Sequence, residues 1–304
     1  GCKIQGLQID GNRATYTASY NYGIYLCESS DNNTVTGNTC TNNNNGIYID
    51  ASSNNTVTGN TCTNNNNGIG LPDSNNNTVT GNTCNNNSIG IYLHYGDNNT
   101  VTDNTCTNNN NGIRLSGYTD NNTVIGNTCN NNNNYGIYLA SYSNENTVTG
   151  NTCTYNKYGI GLADSNNNTV TGNICNNYDY GINLGRADNN TVTGNTCNNN
   201  SYGIRLYEYA DNNTVTGNTC NNNKKRGISL SLSSNNTVTG NTCIRGTGQT
   251  SNYASDQYTI FLSGTDNDYN LISSNNCMGK AVVVEGGTGN SAWGNKFDAT
   301  DDLP

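Results

Sequence analysis

Thirteen cysteines are the residues whose type and spacing could do chemistry in this sequence. Eleven recur in one slot of a repeated unit, mostly 22–24 residues apart: Cys40, Cys62, Cys84, Cys106, Cys129, Cys153, Cys175, Cys197, Cys220, Cys243 and Cys277. Such a column would stack Cα atoms about 4.8 Å apart, within the disulfide window of about 4.4–6.8 Å. Because in-register side chains point the same way, buried free thiols and bonded pairs both stay open.

Two cysteines fall outside this column. Cys2 and Cys27 are separated along the chain by about the length of one repeated unit. Either a bridge between them or a bond to a neighbouring subunit would satisfy both thiols. A zinc site is not expected, because a single file of cysteines cannot form a tetrahedron and no Cys-x-x-Cys occurs.

The other residue types that commonly catalyse reactions are scattered. Acidic residues precede the corner motif Asn-Asn-Thr, at Asp31, Asp97, Asp120, Asp188 and Asp211. The only histidine is His94, which follows Leu93 at an expected surface position. No pair of carboxylates suggests hydrolysis of a glycosidic bond. The sequence therefore predicts no catalytic, cofactor-binding or metal-binding residues, and predicts that the protein is not an enzyme.

Two outward columns could bind a ligand. The first is an aromatic column at the variable position of Gly-Ile-x-Leu, at Tyr25, Tyr48, Tyr92 and Tyr138. Exposed tyrosines in a row could stack on sugars or pack against a neighbouring protein. The second is a row of Thr-x-Thr pairs such as Thr34 and Thr36, which resembles the faces of β-helical ice-binding proteins.

A repeat must position all of these residues. The unit Asn-Asn-Thr-Val-Thr-Gly-Asn-Thr-Cys is followed by an Asn-rich run and by Gly-Ile-x-Leu. Its apolar positions alternate with a period of two, and its Asn and Gly residues suit tight corners but not helices. These features predict an all-β parallel β-helix of about 13 coils, with inward Asn38, Asn60 and Asn82 forming an amide ladder.

The predicted organisation is one β-helix domain over residues 1–304. Regular repeats span about 32–243, irregular terminal coils span 3–31 and 258–297, and an insertion spans about 244–257. In the opening coil, Ala14 occupies the cysteine slot. No helical cap is recognised at either end, which favours association of strand edges with other chains.

Composition limits the function classes. Hydrophobic residues are 31% of the chain, against about 45–50% in an average domain, so only a narrow core can form. The net charge is −9 with 12 Lys and Arg, which argues against a nucleic-acid partner. No apolar run approaches the ~20 residues of a membrane helix, and no membrane insertion is expected.

The repeat resembles the right-handed parallel β-helix repeats of the NosD type, over residues 3–297. Its cysteine column is also similar to the sheath proteins of filamentous methanogens. The NosD resemblance implies export and includes copper-maturation proteins, but His94 and Met278 offer few copper ligands.

The sheath resemblance implies a structural subunit of an extracellular polymer, such as a sheath, tube or surface layer at the cell surface. Self-association and disulfides would stabilise that polymer, and Asn-x-Thr sequons would allow glycans as further partners. The alternatives are a carbohydrate-binding or polysaccharide-cleaving β-helix and, third, an ice-binding protein.

Overall fold

The repeat unit folds into three short strands because its side chains alternate between the interior and the surface. In one coil these strands are Thr56–Thr58, Thr61–Thr63 and Asn67–Pro72. Val57 and Cys62 are fully buried, while the threonines beside them are partly exposed. The predicted period of two is therefore confirmed.

A computed structural model describes residues 1–13, 15, 20–244, 258–278, 282–284 and 286–297. Contacts divide the chain into two compact units, unit 1 at residues 1–156 and unit 2 at residues 157–304. Ala14 and the predicted insertion beyond residue 244 lie outside the described residues, and the single domain over 1–304 stays a prediction. Within the described ranges there is no helix long and apolar enough to cross a membrane.

The described residues of unit 1 form eighteen strands. They are β1 (Lys3–Gln5), β2 (Gln8–Asp10), β3 (Tyr22–Leu26), β4 (Thr34–Thr36), β5 (Thr39–Thr41), β6 (Asn45–Ile49), β7 (Thr56–Thr58), β8 (Thr61–Thr63), β9 (Asn67–Pro72), β10 (Thr78–Thr80), β11 (Thr83–Asn85), β12 (Ile89–His94), β13 (Thr100–Thr102), β14 (Asn111–Ser116), β15 (Thr123–Ile125), β16 (Tyr135–Ala140), β17 (Thr147–Thr149) and β18 (Thr152–Thr154).

Unit 2 contains fifteen described strands. They are β19 (Tyr158–Ala163), β20 (Thr169–Thr171), β21 (Ile174–Asn176), β22 (Tyr180–Gly185), β23 (Thr191–Thr193), β24 (Tyr202–Tyr207), β25 (Thr214–Thr216), β26 (Arg226–Ser231), β27 (Thr237–Thr239), β28 (Tyr258–Ser263), β29 (Leu271–Ser273), β30 (Asn276–Cys277), β31 (Val282–Val284), β32 (Ser291–Trp293) and β33 (Lys296–Phe297).

The strands form three parallel sheets in each unit. In unit 1 the first sheet has the order β1-β4-β7-β10-β13-β15-β17, and the third has the order β3-β6-β9-β12-β14-β16. Unit 2 repeats this plan with β20-β23-β25-β27-β29-β32 and β19-β22-β24-β26-β28-β31. The short second sheet is formed by strands such as β5, β8 and β11 and continues through isolated bridges. Each unit is therefore a parallel β-helix, as predicted.

In-register pairing builds the core from identical residues. Val57 pairs with Val79, Cys62 with Cys84, and Ile91 with Ile113. All six side chains are fully buried. Burial of such small apolar columns contributes about 25 cal/mol per Å² of apolar surface, which lets a polar chain fold around a narrow interior.

Glycine and asparagine meet two separate demands of the coil. Gly59 turns the corner after the first strand with φ of 62°, and a Cβ there would meet no atom within 4 Å. Gly68, in the Gly-Ile-x-Leu motif, has a different role, since a Cβ would lie 2.5 Å from the carbonyl oxygen of Gly90. This close approach of neighbouring coils explains why the motif begins with glycine.

Three asparagine ladders run along unit 1, where the sequence predicted one. The predicted ladder is present: the Nδ2 and backbone N of Asn60 donate to Oδ1 of Asn82 at 3.0 and 2.9 Å. Two further ladders, missed from the sequence, contain Asn65 and Asn77, whose backbone N atoms donate to the next coil at 2.8 Å each. Because Asn60, Asn65 and Asn77 are each only 1% exposed, these bonds remove a large desolvation cost.

A corner column of acids makes stability depend on pH. The Asp120 Oδ1 accepts a bond from the backbone N of Asn144, while its own N donates to Oδ1 of Asp97. Burial raises the pKa of Asp120 above its ordinary value, and Asp97 adds to this effect. The folded state thus holds the proton more tightly than the unfolded state does. Between the ordinary pKa and the raised pKa, ionisation of this carboxyl therefore destabilises the fold increasingly as the pH rises.

We expect Asp120→Asn to stabilise the protein at pH 7 by about 0.3–0.5 kcal/mol, a small gain because solvent screens a partly exposed carboxyl. Asn75, which occupies the equivalent corner, shows that an amide oxygen accepts the same backbone bond. Denaturant unfolding at pH 7 and pH 3 measures the effect. The gain should vanish at pH 3, and an equal gain at both pH values would contradict the prediction.

Candidate functional site

The predicted cysteine column is present and buried. Its members, Cys40, Cys62, Cys84, Cys106, Cys129, Cys153, Cys175, Cys197, Cys220, Cys243 and Cys277, are all at most 1% exposed. Neighbouring thiols such as those of Cys106 and Cys129 contact one another through their side chains. Burial raises the pKa of Cys129 and of Cys197 well above the ordinary value, so these thiols stay protonated and unreactive at neutral pH.

The predicted disulfides are not supported. All thirteen cysteines are free thiols in the structure, including Cys2, which is exposed, and Cys27, which is half-buried. Side chains in a parallel, in-register column point in the same direction, a geometry that suits a thiol-to-thiol hydrogen bond better than the twisted disulfide dihedral. The bridge predicted between Cys2 and Cys27 is likewise absent from the structure.

Thiol labelling should separate the two classes of cysteine. We expect a thiol reagent to modify two cysteines in the native protein, Cys2 and Cys27, and the eleven column cysteines only after unfolding. The reason is that modification needs an accessible thiolate. Mass spectrometry after timed alkylation measures this, with Cys27→Ser as the control that should leave one fast thiol. Native labelling of column cysteines as fast as Cys2 would contradict their burial.

The third sheet of unit 1 carries the predicted aromatic column on its outer face. Tyr25 pairs in register with Tyr48 on the neighbouring strand, and their ring centroids are 5.8 Å apart. Tyr22 completes this cluster and stacks on Tyr48 at 4.8 Å. Burial raises the pKa of Tyr48 to about 12. The phenol therefore stays protonated at neutral pH and can donate a hydrogen bond.

Further along the same column, Arg114 lies between Tyr92 and Tyr138. Its guanidinium carbon is 5.7 Å from the Tyr92 ring centroid and 5.9 Å from that of Tyr138. This places a cation over two aromatic rings, where the ring quadrupole stabilises it. The column therefore presents aromatic surface together with a positive charge, which the tyrosine pattern alone did not predict.

His94 lies beside this column on β12. Its Nδ1 is 2.9 Å from the carbonyl oxygen of Ser116, and the Tyr92 hydroxyl is 3.2 Å from the Ser116 Oγ. The His94 and Tyr92 rings are 5.5 Å apart and nearly parallel. A carbonyl at Nδ1 assigns the proton to that nitrogen and leaves Nε2 as an acceptor. The three side chains thus form a polar cluster, in which Ser116 is buried and Tyr92 and His94 are partly exposed, with groups able to give and take protons.

A row of corner tyrosines borders the third sheet of unit 1 and was missed from the sequence. Tyr95, Tyr118 and Tyr142 have left-handed φ values of 52°, 51° and 64°. Their rings stack at 6.3 and 5.2 Å, and each side chain is about half exposed. Irregular spacing in the repeat hid this row, because Tyr95 is two residues after Leu93 whereas Tyr118 is three after Leu115.

Unit 2 has its own aromatic and cationic face on its third sheet. Tyr158, Tyr180 and Tyr202 stack along neighbouring strands at 5.3 and 5.2 Å. Arg205 lies over Tyr180 at 5.2 Å and over Tyr207 at 4.3 Å, and its Nη1 donates to the Tyr180 hydroxyl at 3.0 Å. Arg205 therefore lies on the same surface of unit 2 as the stacked tyrosines.

Lysines extend the positive surface of unit 2. The Lys225 Nζ is 5.7 Å from the Tyr202 ring centroid, and the Lys157 Nζ is 5.0 Å from that of Tyr158. A side-chain hydrogen bond with Tyr158 raises the pKa of Lys157. Both ammonium groups are exposed, so they can contact a ligand in solution.

The NosD family, described as "Periplasmic copper-binding protein (NosD)", matches residues 5–178 and again 154–302. No curated protein matches the sequence. Among solved structures, the A-module of the Azotobacter vinelandii mannuronan C-5 epimerase AlgE6 has a TM-score of 0.71 at 15% identity. The alignment covers 98% of this chain and 91% of that chain.

Two further solved structures share the fold. DFA-IIIase from Arthrobacter chlorophenolicus A6, without its lid, has a TM-score of 0.62 at 14% identity, covering 93% of this chain and 72% of that chain. The enzymatically active domain of tailspike protein 2 of Bacteriophage CBA120 has a TM-score of 0.60 at 13% identity, covering 83% and 43%. At these identities the likeness shows the fold alone.

The prediction that the protein is not an enzyme is contradicted by these neighbours. The epimerase, the DFA-IIIase and the tailspike domain are enzymes built on the same scaffold. The prediction relied on scattered acids and a single histidine. That reasoning was wrong because side chains far apart in sequence meet on neighbouring strands, as Tyr92 and Ser116 do here.

The described residues do not fit a copper centre. They contain no group of three or more His, Cys, Asp or Glu side chains that could hold a metal ion. The column thiols are fully buried, and the His94 Nδ1 faces a backbone carbonyl.

The NosD family model nevertheless matches most of the sequence. The repeat of this chain, its parallel β-helix and its inward columns are consistent with that match. The chain belongs to the NosD family.

Proposed function

We propose that the protein binds a polysaccharide chain along the outer faces of its third sheets. The observation that carries this proposal is the concentration of stacked tyrosines on those faces, with Tyr95, Tyr118 and Tyr142 about half exposed at the border in unit 1. Aromatic side chains offer an apolar ring and a polar tip. These suit the alternating apolar and hydroxyl surfaces of a sugar chain.

The period of the fold supports an extended ligand. Parallel strands repeat the same outward positions at about 4.8 Å intervals, so a linear polymer lying along the axis of a unit meets equivalent groups repeatedly. The fold neighbours include enzymes named for mannuronan and for DFA-III, and these compounds make saccharides the first ligands to test. Because these neighbours share the fold at low sequence identity, they guide the choice of ligands to test and carry no further argument.

Alanine substitution in the corner row tests the proposal. We expect Tyr118→Ala to weaken binding of a polysaccharide by about 3–10-fold, through loss of one ring contact. Affinity electrophoresis with a panel of neutral and acidic polysaccharides, followed by calorimetry on the best ligand, measures it. Tyr269→Ala is the matched control, because Tyr269 is exposed and left-handed but lies next to the first sheet of unit 2. An equal loss in both variants would contradict a specific site.

Chemistry on a bound sugar is a second candidate function, favoured by the cluster of His94, Tyr92 and Ser116. Its Nε2 acceptor and phenol donor are the groups needed for general acid–base catalysis. Incubation with oligosaccharides, analysed by NMR for new reducing ends, unsaturated ends or changed configuration at a ring carbon, tests for turnover. No change in any sugar that binds would contradict this candidate.

The polymer-subunit hypothesis has less support, since the cysteines are free and the fold neighbours act on saccharides. A sheath, tube or surface layer, self-association and cell-surface location stay predictions, and export is consistent with the family description. Electron microscopy with and without reductant tests the polymer, where discrete particles in both conditions would oppose it. The ice-binding alternative also stays a prediction, tested by thermal hysteresis.

A further inference from the structure

We infer that the ligand is an anionic sugar polymer whose carboxylates bind Arg114 in unit 1 and Arg205 in unit 2. This inference rests on the proposed polysaccharide-binding function and specifies the class of ligand. It depends on two arginines that are positioned by aromatic rings rather than by acids. Each arginine lies on the outer face of a third sheet, so each unit provides an independent observation.

Arg114 is held in place but not neutralised. Tyr92 and Tyr138 hold its guanidinium from both sides, and its Nε is buried with no hydrogen-bond partner. No carboxylate lies within ion-pair distance of it in the part of the chain that the structure describes. A cation oriented in this way is preorganised for an anion, because its side-chain freedom is already restricted before binding.

Arg205 repeats this arrangement in unit 2. Tyr180 and Tyr207 contact its guanidinium, and one Nη1 bond goes to the neutral Tyr180 hydroxyl. The described residues place no acid within 4.0 Å of it. Lys225 on the neighbouring coil adds a second exposed positive charge. The remaining guanidinium donors form a planar fork, which suits a carboxylate bidentately.

Arg186 is an arginine whose charge is neutralised by acids of the same chain, in contrast to Arg114 and Arg205. It also lies in unit 2, but it bonds Asp164 at 2.7 Å and Glu208 at 2.5 Å. The sequence has 21 Asp and Glu against 12 Lys and Arg, so acidic partners are plentiful. Leaving Arg114 and Arg205 without such partners therefore distinguishes them from Arg186 and favours an external anion.

Binding measurements on charge-matched variants test the inference. The probes are oligomannuronate and polygalacturonate as carboxylated polymers, a neutral oligoglucan, a sulfated polysaccharide and duplex DNA. We expect the carboxylated probes to bind best, and Arg114→Gln or Arg205→Gln to weaken them by about 10-fold each. Arg186→Gln removes the same charge from an internal ion pair and should leave affinity within about 2-fold.

Conservative variants distinguish a loss of binding from a loss of folding. Arg114→Lys and Arg205→Lys keep the charge but lose the planar fork, and we expect an intermediate loss of about 3-fold with an unchanged thermal midpoint. Raising the ionic strength should weaken the carboxylated probes and not the neutral one. Equal losses in all three glutamine variants would indicate a general charge effect and overturn the inference.

The outcomes separate this inference from the proposed function. Binding of the neutral glucan as tightly as the uronates, unchanged in the arginine variants, would overturn the inference and leave the polysaccharide proposal intact. No binding of any polysaccharide would overturn the proposed function itself. Preference for the sulfated polymer would overturn the carboxylate assignment, and preference for DNA would overturn both.

Discussion

Replacement of Asn127 by aspartate is expected to lower the free energy of unfolding by about 3–5 kcal/mol, the cost of an uncompensated buried charge. The Asn127 Nδ2 donates to the carbonyl oxygens of Val101 and Ile125 and to Oδ1 of Asn151, at 2.9, 3.2 and 3.0 Å. A carboxylate has no proton for these three acceptors. The substitution would therefore bury an unpaired charge against three oxygens at a site that is 1% exposed.

Chemical denaturation measures this loss, and Asn131→Asp provides the matched control. Asn131 lies four residues away on an exposed corner with φ of 56°, where aspartate suits the backbone and remains hydrated. We expect the control to change stability by less than about 0.5 kcal/mol. The loss at Asn127 should shrink in acid, because a buried carboxyl binds a proton more readily. Similar unfolding midpoints for both variants would contradict the importance of the ladder.

Under the second candidate function, in which the protein acts on a bound sugar, substitution of His94 by glutamine is expected to reduce turnover of an oligosaccharide by about 100-fold or more, the usual contribution of a general acid–base group. Glutamine keeps an acceptor near the original position but cannot transfer a proton at neutral pH. Binding of the sugar should change by less than about 3-fold, since the neighbouring rings and Arg114 remain. Parallel measurement of kcat and of the dissociation constant checks this prediction.

Tyr92→Phe separates proton transfer from ring stacking in the same cluster. It keeps the ring under Arg114 and beside His94 but removes the hydroxyl that meets the Ser116 Oγ. We expect an intermediate loss of turnover and no loss of affinity. Unchanged turnover in His94→Gln, in a preparation that converts sugar, would exclude His94 as the acid–base group.

The aromatic part of the site was partly predictable from the repeat. Tyr25, Tyr48, Tyr92 and Tyr138 occupy one slot of Gly-Ile-x-Leu, and in-register pairing placed them on one outer face. Tyr95 and Tyr118 lie in loops of different length, so no fixed slot links them. Their stacking depends on how each corner returns to the axis, which is a property of the assembled coils.

The parallel β-helix, the inward columns and the burial of the cysteines follow from the repeat, because a period of two within 22–24 residues leaves each side chain one of two faces. The contacts between neighbouring coils depend on the folded chain. The tertiary structure placed Asn65 and Asn77 in two additional ladders and left Cys2 and Cys27 as free thiols. These outcomes depend on distances of a few ångströms between residues about one coil apart, and alternation along a single strand carries no information about such distances.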